Sequence, residues 1–492
     1  MSKILFATSE VFPLVKTGGL ADVSNSLPSA LQLLNQDVRV VVPGYPDVIA
    51  KLENPMHLCD VDGFLIPEGT RLLESSIPDT NVTLWVVDCP DFYSREGGPY
   101  LDSYQQEWPD NAQRFAMFCR VIADIALGHC DTSWQPDIVH CNDWQTGLAP
   151  AFISLAENRP ATIFTIHNLA YQGNFSKEAF DELLLPYQWW SVDGVEFYHK
   201  LSFLKAGVVF SDQVTTVSPS YAQEILSPEF GYGMDGLLRH HQSKLTGVLN
   251  GVDYSTWSPS SDTHIKFNYD RESLEEKIKN KLDLQRNMGL KLTKGTPLFG
   301  MVCRLVHQKG VDFVVETIKA NIDEKIQWVI LGSGEEYFEN ALFELAEQYS
   351  EKISFTQGYS ESLAHRIEAA SDVFVMASRY EPCGLNQIYS LRYGTLPLVR
   401  ETGGLADTVV QVNEQTLEDR SATGFVFQEA SSEGLSEAAQ QACNFFRKKK
   451  KWRSMQENAM NQDFSWKQSA DLYLGLYDLA LEGVRSGQMV AE

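Results

Sequence analysis

No stretch of this sequence stays apolar for the roughly 20 residues that a bilayer-spanning helix needs, so nothing in it reads as a membrane segment. Cysteine is scarce: there are eight in 492 residues, with no CxxC pair and no framework spacing. A disulfide-stapled scaffold is therefore excluded, and reduced thiols in a cytoplasmic protein are expected. Positive charge is also short, with 40 Lys and Arg against 65 Asp and Glu and a net charge of −25. That balance excludes a nucleic-acid surface, which needs a basic footprint. It leaves room for a small anionic ligand, because a few focused cations dominate a local pocket. The start, "MSKILFATSE", lacks the long apolar region and small-residue cleavage site of a leader. No HxxxH or Cys/His cluster has metal-ligand spacing, so no metal and no cofactor are expected. "DVD" (60–62) is read as a polar segment away from any strand end, and "GSGEEY" (332–337) fails as a dinucleotide fingerprint because Tyr337 stands at the third glycine position.

What is present is ordinary globular material, 43% hydrophobic and 21% charged, in a chain long enough for about two to four domains. Short apolar runs alternate with amphipathic stretches. The first series contains "KILFATSE" (3–10), "VRVVVPGY" (38–45), "VTLWVVD" (82–88), "DIVHCND" (137–143), "ATIFTIHN" (161–168) and "QVTTVS" (213–218). The second contains "PLFGMVCRL" (297–305), "IQWVILGSG" (326–334), "ISFTQGY" (353–359), "VFVMAS" (373–378) and "LPLVR" (396–400). Buried strands with helices between them predict two doubly wound α/β domains with parallel sheets. The polar stretch 258–296, which has no strand period, reads as the junction between them.

The hexapeptide "TGGLAD" occurs twice, at 17–22 and 402–407. One copy follows the first strand of its series and the other the fifth, so simple domain duplication does not account for it. Each copy sits where a strand ends and a helix opens, the place where open α/β sheets bind ligands. A glycine pair there lets backbone amides approach an anion, and both copies are expected to line one interdomain cleft. The bland alternative, a tight turn and nothing more, suffices for either copy alone. Lys16 precedes the first copy, and Arg304 and Lys309 follow the first strand of the second series, a cation pattern suited to a diphosphate. In "SRYEPCGLNQ" (378–387), Glu381 follows a strand, and Gly384 and Leu385 open a helix whose amides suit a terminal phosphate. A carboxylate beside that turn is placed to bind a sugar hydroxyl or to stabilise an oxocarbenium ion. His167 and Asp143 stand at strand ends, where side chains face the cleft, and Asn250, beside a glycine turn, is a hydroxyl-binding candidate. The basic run "RKKKKWR" (447–453) reads as a solvated helix face.

"KTGGLADV", "HNLAYQG", "RLVHQKG", "EPCGLNQIYSLRYGTLPLVRETGGLADTV" and "FSWKQSADLYLGLY", in that order over essentially the whole chain, closely resemble the bacterial glycogen synthase and plant starch synthase family. The resemblance implies two Rossmann-like domains of the GT-B type with a deep interdomain cleft. It assigns residues 1–252 to the acceptor side, completed by a C-terminal helix at about 474–492, and 253–473 to the nucleotide-sugar side. It implies retaining, metal-free transfer of glucose from ADP-glucose to the nonreducing end of an α-1,4-glucan such as glycogen.

By the same resemblance Lys16, Arg304 and Lys309 form a diphosphate clamp, with Gly18, Gly19, Gly384 and Leu385 supplying backbone donors. His167, Asn250, Glu381 and Cys383 line the donor glucose, with Glu381 near the anomeric carbon, and Tyr359 stacks on adenine. Asp22, Asp143 and Tyr100 match positions near the sugar and acceptor. Two departures stand out: Tyr389 where many such enzymes carry a ribose-binding Glu, and Gln145 where His often follows Asp-Trp. The rival readings are a catalytically silent glucan-binding protein and a glucan phosphorylase, although no pyridoxal-bearing Lys segment matches. The lack of a plastid-like leader favours a bacterial glycogen enzyme.

Overall fold

The computed structural model describes residues 1–491 and divides into two compact units. One comprises Met1–Gly251 together with the chain from Trp466 onward, and the other is Val252–Ser465.

The strands of the first unit are β1 (Lys3–Ala7), β2 (Asp37–Pro43), β3 (Met56–Asp60), β4 (Arg71–Ser76), β5 (Thr83–Asp88), β6 (Ile138–Asn142), β7 (Ala161–Ile166), β8 (Asn174–Phe175), β9 (Glu196–Phe197), β10 (Lys200–Ser202), β11 (Gln213–Thr216) and β12 (Leu245–Gly247). Nine of them form one sheet in the order β12-β11-β7-β6-β1-β2-β5-β4-β3. The pairing is parallel except at the β5-β4-β3 edge, which is antiparallel. β8, β10 and β9 form a separate small antiparallel sheet. Chain order reverses between β1 and β6, whose register pairs Ala7 with Cys141. The loops leaving β1 and β6 therefore emerge side by side, and such a reversal is where open α/β sheets form a crevice.

The helix Gly19–Leu33 follows β1 and buries Leu20, Val23, Leu27 and Leu31, the three- and four-residue spacing of one helical face. The C-terminal helix Trp466–Ala491 packs against that helix and against β7. On it Tyr477 meets His140 of β6 at 2.8 Å, and His140 continues to Thr165 of β7 at 2.7 Å. This polar chain is fully buried, and burial holds the His140 pKa down at about 3.

The second unit contains β13 (Leu298–Val302), β14 (Gln327–Gly332), β15 (Ile353–Gln357), β16 (Val373–Met376), β17 (Leu396–Arg400) and β18 (Phe425–Phe427). All are parallel, in the order β15-β14-β13-β16-β17-β18. Counted within the unit this is 3-2-1-4-5-6, the order of dinucleotide-binding sheets, with the reversal between β13 and β16.

Two readings of the sequence need correction. The stretch 258–296 lies inside the second unit and carries the helix Lys277–Asn287. Its polar pattern conceals a buried face: Lys281 pairs with Asp372 at 2.6 Å, and Lys277 donates to the Ala369 carbonyl and the Thr395 hydroxyl. The "DVD" segment does lie at a strand end, because Asp60 closes β3. It is an exposed edge strand, and Asp60 is paired with His57 at 2.9 Å. The basic run behaves as read: Lys448, Lys449, Lys450 and Lys451 are exposed while Trp452 is buried.

Candidate active site

In the second unit the chain leaves β13 through Arg304 and a short 3-10 turn, His307–Lys309. It leaves β16 through Ser378 and Glu381. Because these strands flank the order reversal, Lys309 and Glu381 meet there, Nζ to Oε2 at 2.5 Å. Glu381 is only 6% exposed, and the Ser378 hydroxyl donates to the same carboxylate oxygen at 2.8 Å. A buried carboxylate is tolerable only with such partners. The loop carrying it is fixed at several points. Arg379 forks onto Asp312 at 2.7 and 2.8 Å, its amide donates to the Gln308 carbonyl at 2.8 Å, and Arg400 Nε donates to the Ser378 carbonyl at 2.8 Å. Arg304 is exposed, with no ion pair among the described residues. Cys383 is buried, Gly384 takes a left-handed φ of +69°, and Leu385 caps the helix Asn386–Arg392. Tyr359, beyond β15, is 67% exposed and donates its hydroxyl to Glu361. Tyr389 stacks on Trp257, ring centroids 3.9 Å apart and nearly parallel, so its ring is committed to packing.

In the first unit Lys16 and Asp143 lie at the β1–β6 reversal, with His167 beside them after β7 and Asn250 beyond the edge strand β12. Lys16 pairs with Asp22 at 2.8 Å, both partly exposed. The turn after Lys16 is held by Glu10, a residue only 3% exposed. Its carboxylate accepts from the Thr17 amide and hydroxyl, both at 2.5 Å, from the Gly18 amide at 3.2 Å and from the Tyr100 hydroxyl at 2.7 Å. Asp143, just past β6, has φ +57°, a conformation that costs an L-residue energy and persists only where its surroundings enforce it. Here the Asp143 carboxylate accepts from the His167 amide at 2.7 Å, and more weakly from that of Asn168. Loss of solvent around that carboxyl pushes its pKa up to about 7, with Glu10's charge adding, while the two amide bonds oppose the shift. His167 directly follows β7, and burial lowers its pKa to about 3, so the ring is neutral. Asn250 is buried, and its Oδ1 has no hydrogen-bond partner among the described residues, an orphan acceptor suited to a hydroxyl donor.

Residues 3–240 match the starch synthase catalytic domain family, and residues 287–462 match the glycosyl transferases group 1 family. A glycogen synthase from Cellvibrio japonicus is 49% identical over 97% of this chain and 99% of its own length. Another, from Thioalkalivibrio sulfidiphilus, is 50% identical over 96% of this chain and 99% of its own. The catalytic domain of starch synthase IV from Arabidopsis thaliana, solved with ADP and acarbose, superposes with a TM-score of 0.86 at 30% identity, covering 98% of this chain and 99% of that one. The chain belongs to the glycogen synthase and starch synthase family. It is a glycosyltransferase built on two Rossmann-like domains.

Within this family member the two TGGLAD copies are not alike. At Gly18 and Gly19 an added Cβ would meet nothing within 4 Å. The first copy is open on its outer side, while its Gly18 amide already faces Glu10. In the second copy Gly403 has φ +44°, and an added Cβ would lie 2.1 Å from the Glu381 carbonyl oxygen. At Gly404 it would lie 2.0 Å from the Cys383 carbonyl oxygen, and the Gly404 amide donates to the Glu381 and Pro382 carbonyls. Reading the second copy as a ligand-facing turn is therefore wrong for Gly403 and Gly404: their smallness lets β17's loop pack on the Glu381 loop and hold it. Sequence reasoning also passed over Glu10, Ser378 and Arg379. The one signal for Glu10 was an acid standing directly before the apolar "VFPLV" and shortly after a strand.

Proposed function

We propose that this protein is a glycogen synthase that transfers glucose from ADP-glucose, with retention of configuration, to the nonreducing end of an α-1,4-glucan. The observation that carries the reading is the Lys309–Glu381 pair at the strand-order reversal of the second unit, in a chain about half identical over its length to glycogen synthases. In this reading the second unit handles the nucleotide sugar and the first the acceptor. Arg304, Lys309 and Lys16 take the diphosphate, where negative charge develops as the glycosidic bond breaks; preorganised cations there lower the barrier. Glu381 stands at the sugar, and the exposed Tyr359 ring offers a stacking face for adenine. His167, Asn250 and Cys383 line the glucose, while Gly18 and Gly19 give the ligand room. Asp22, Asp143 and Tyr100 shape the acceptor side. No helix among the described residues is long and apolar enough to cross a membrane. All eight cysteines are free, which supports a reducing, cytoplasmic setting.

Radiolabelled ADP-glucose incubated with glycogen tests the reading. Label should enter the polymer and return as maltose on digestion with an exo-amylase that works from nonreducing ends. Free labelled glucose alone, or label resistant to that digestion, would sink the proposal.

A further inference from the structure

His167 depends on a neighbour that carries no obvious chemistry of its own. Asn142 is the last residue of β6 and is fully buried. Its amide nitrogen donates to two backbone carbonyls, Ala7 on the neighbouring β1 at 3.0 Å and His140 within its own strand at 3.3 Å. Its Oδ1 lies 3.0 Å from Nε2 of His167. Turning the amide over would set Oδ1 against two carbonyl oxygens with no proton between them, and would leave a donor facing His167. The backbone therefore fixes the amide, and the amide fixes the ring: an acceptor at 3.0 Å requires a proton on Nε2. The other nitrogen, Nδ1, has no partner among the described residues.

We propose that Asn142 is a positioning residue that locks His167 as the Nε2–H tautomer and keeps Nδ1 as a bare acceptor, so that this imidazole recognises a ligand hydroxyl and not an anionic oxygen. The ring's environment agrees with a neutral state. The titratable groups beside it are Asp143, whose carboxylate takes the His167 main-chain amide, and the buried His140, which is engaged by Tyr477 and Thr165. Neither is hydrogen-bonded to the imidazole of His167, so among the described residues Asn142 alone selects its tautomer. The chemical consequence is discrimination. A bare nitrogen accepts from a sugar O–H and repels a phosphate oxygen, which separates the duty of His167 from that of the lysines and arginine.

The tautomer claim stands on this chain's hydrogen bonds; its effect on rate rests on the glucosyl-transfer reading, and the test keeps the two apart. Nitrogen-15 NMR of ring-labelled histidine, with the His167 signal among the ten histidines assigned by its loss in His167→Gln, reads the ring directly. At pH 7 the wild-type ring should be neutral with its proton on Nε2. A proton on Nδ1, or on both nitrogens, overturns the proposal whatever the activity. In Asn142→Asp, a near-isosteric change, the carboxylate should draw a second proton onto the ring at neutral pH. The turnover number should then fall about 10-fold or more with ADP affinity unchanged, the usual scale for removing the partner that orients a functional group. A folded Asn142→Asp protein whose ring stays neutral, or whose ring changes while transfer proceeds at the wild-type rate, also overturns it. Should Asn142→Asp not fold, the wild-type spectrum alone decides the tautomer.

Discussion

At the scale of single residues, the site is a set of polar and ionisable groups whose roles are chosen by their neighbours. Glu381 is held between Lys309 and Ser378. Replacing it with Gln keeps the volume and removes the charge. Transfer should fall by at least about 100-fold, the loss typical of one electrostatic group acting on the transition state, while ADP affinity stays near wild type. Measuring kcat together with ADP binding by calorimetry checks both halves, and near-normal turnover would remove Glu381 from the reaction. Asp143 gives a pH prediction with a defined sign. Its carboxyl is raised to about 7 in the folded protein from an ordinary value near 4, so folding favours the protonated form. That contribution is complete below about pH 4 and is lost as pH rises through about 7. Asp143→Asn, which can still accept from the His167 amide, should therefore raise the melting temperature more at pH 8 than at pH 5.5. A difference that is equal at both pH values, or larger at the acid end, would show that Asp143 ionises normally. Of these residues Glu381, Lys309, Asp143 and His167 were legible because each follows the end of a strand within a recognisable motif. Glu10 and Asn142 were not, because their meaning lies in partners that sequence does not place: the Tyr100 hydroxyl, 90 residues away from Glu10, and the Ala7 carbonyl, 135 away from Asn142.

At the scale of elements, the repeated hexapeptide shows one string meeting two physical demands. The helix opened by Gly19 has free space on its glycine face, whereas the helix opened by Gly403 is pressed onto the Glu381 loop. Gly19→Val should fold with a normal melting temperature yet weaken ADP binding roughly tenfold or more, equivalent to about 1.4 kcal/mol. Gly404→Ala should instead lose stability and activity together. Overpacking of this kind costs about 1–3 kcal/mol, and domains this size lose roughly 2–4 °C per kcal/mol. Thermal unfolding and ADP titration of the two variants side by side make the comparison; a stable Gly404→Ala protein, or an unstable Gly19→Val protein, would reverse the assignment. The long apolar strands of both sheets were legible from their composition. The β3–β4 edge was not, because an edge strand half in water reads as polar: "MHLCD" and "RLLESS" carry no clean alternation. Nor was the helix Lys277–Asn287, whose buried lysines look solvated until Asp372 and Thr395 are seen beside them.

At the scale of the whole molecule, the parallel part of each large sheet reverses strand order once, and most of the chemistry-bearing residues gather at those reversals. Lys16 and Asp143 lie in the loops leaving β1 and β6, and Arg304, Lys309 and Glu381 in those leaving β13 and β16. Four candidates sit elsewhere: His167 follows β7, one strand beyond the reversal, and Asn250 follows β12 at the edge of the sheet. Tyr359 leaves β15, the far edge of its sheet, and Tyr100 comes after β5 and reaches the reversal through Glu10. Chain continuity adds a second device: the last helix returns to the first sheet and ties it through Tyr477 to His140 and Thr165. Strand-end motifs made the α/β class legible early, while the buried tyrosine–histidine chain needed three segments of backbone to be assembled first. The central claim is that this assembly moves glucose from ADP-glucose onto a glucan. Initial rates of ADP release, measured with and without glycogen and compared with UDP release from UDP-glucose, test it most directly. Release of ADP that requires glycogen, and that exceeds release of UDP under matched conditions, is the predicted result. Equal rates with and without glycogen, or no nucleotide released from ADP-glucose by the folded protein, would contradict the account.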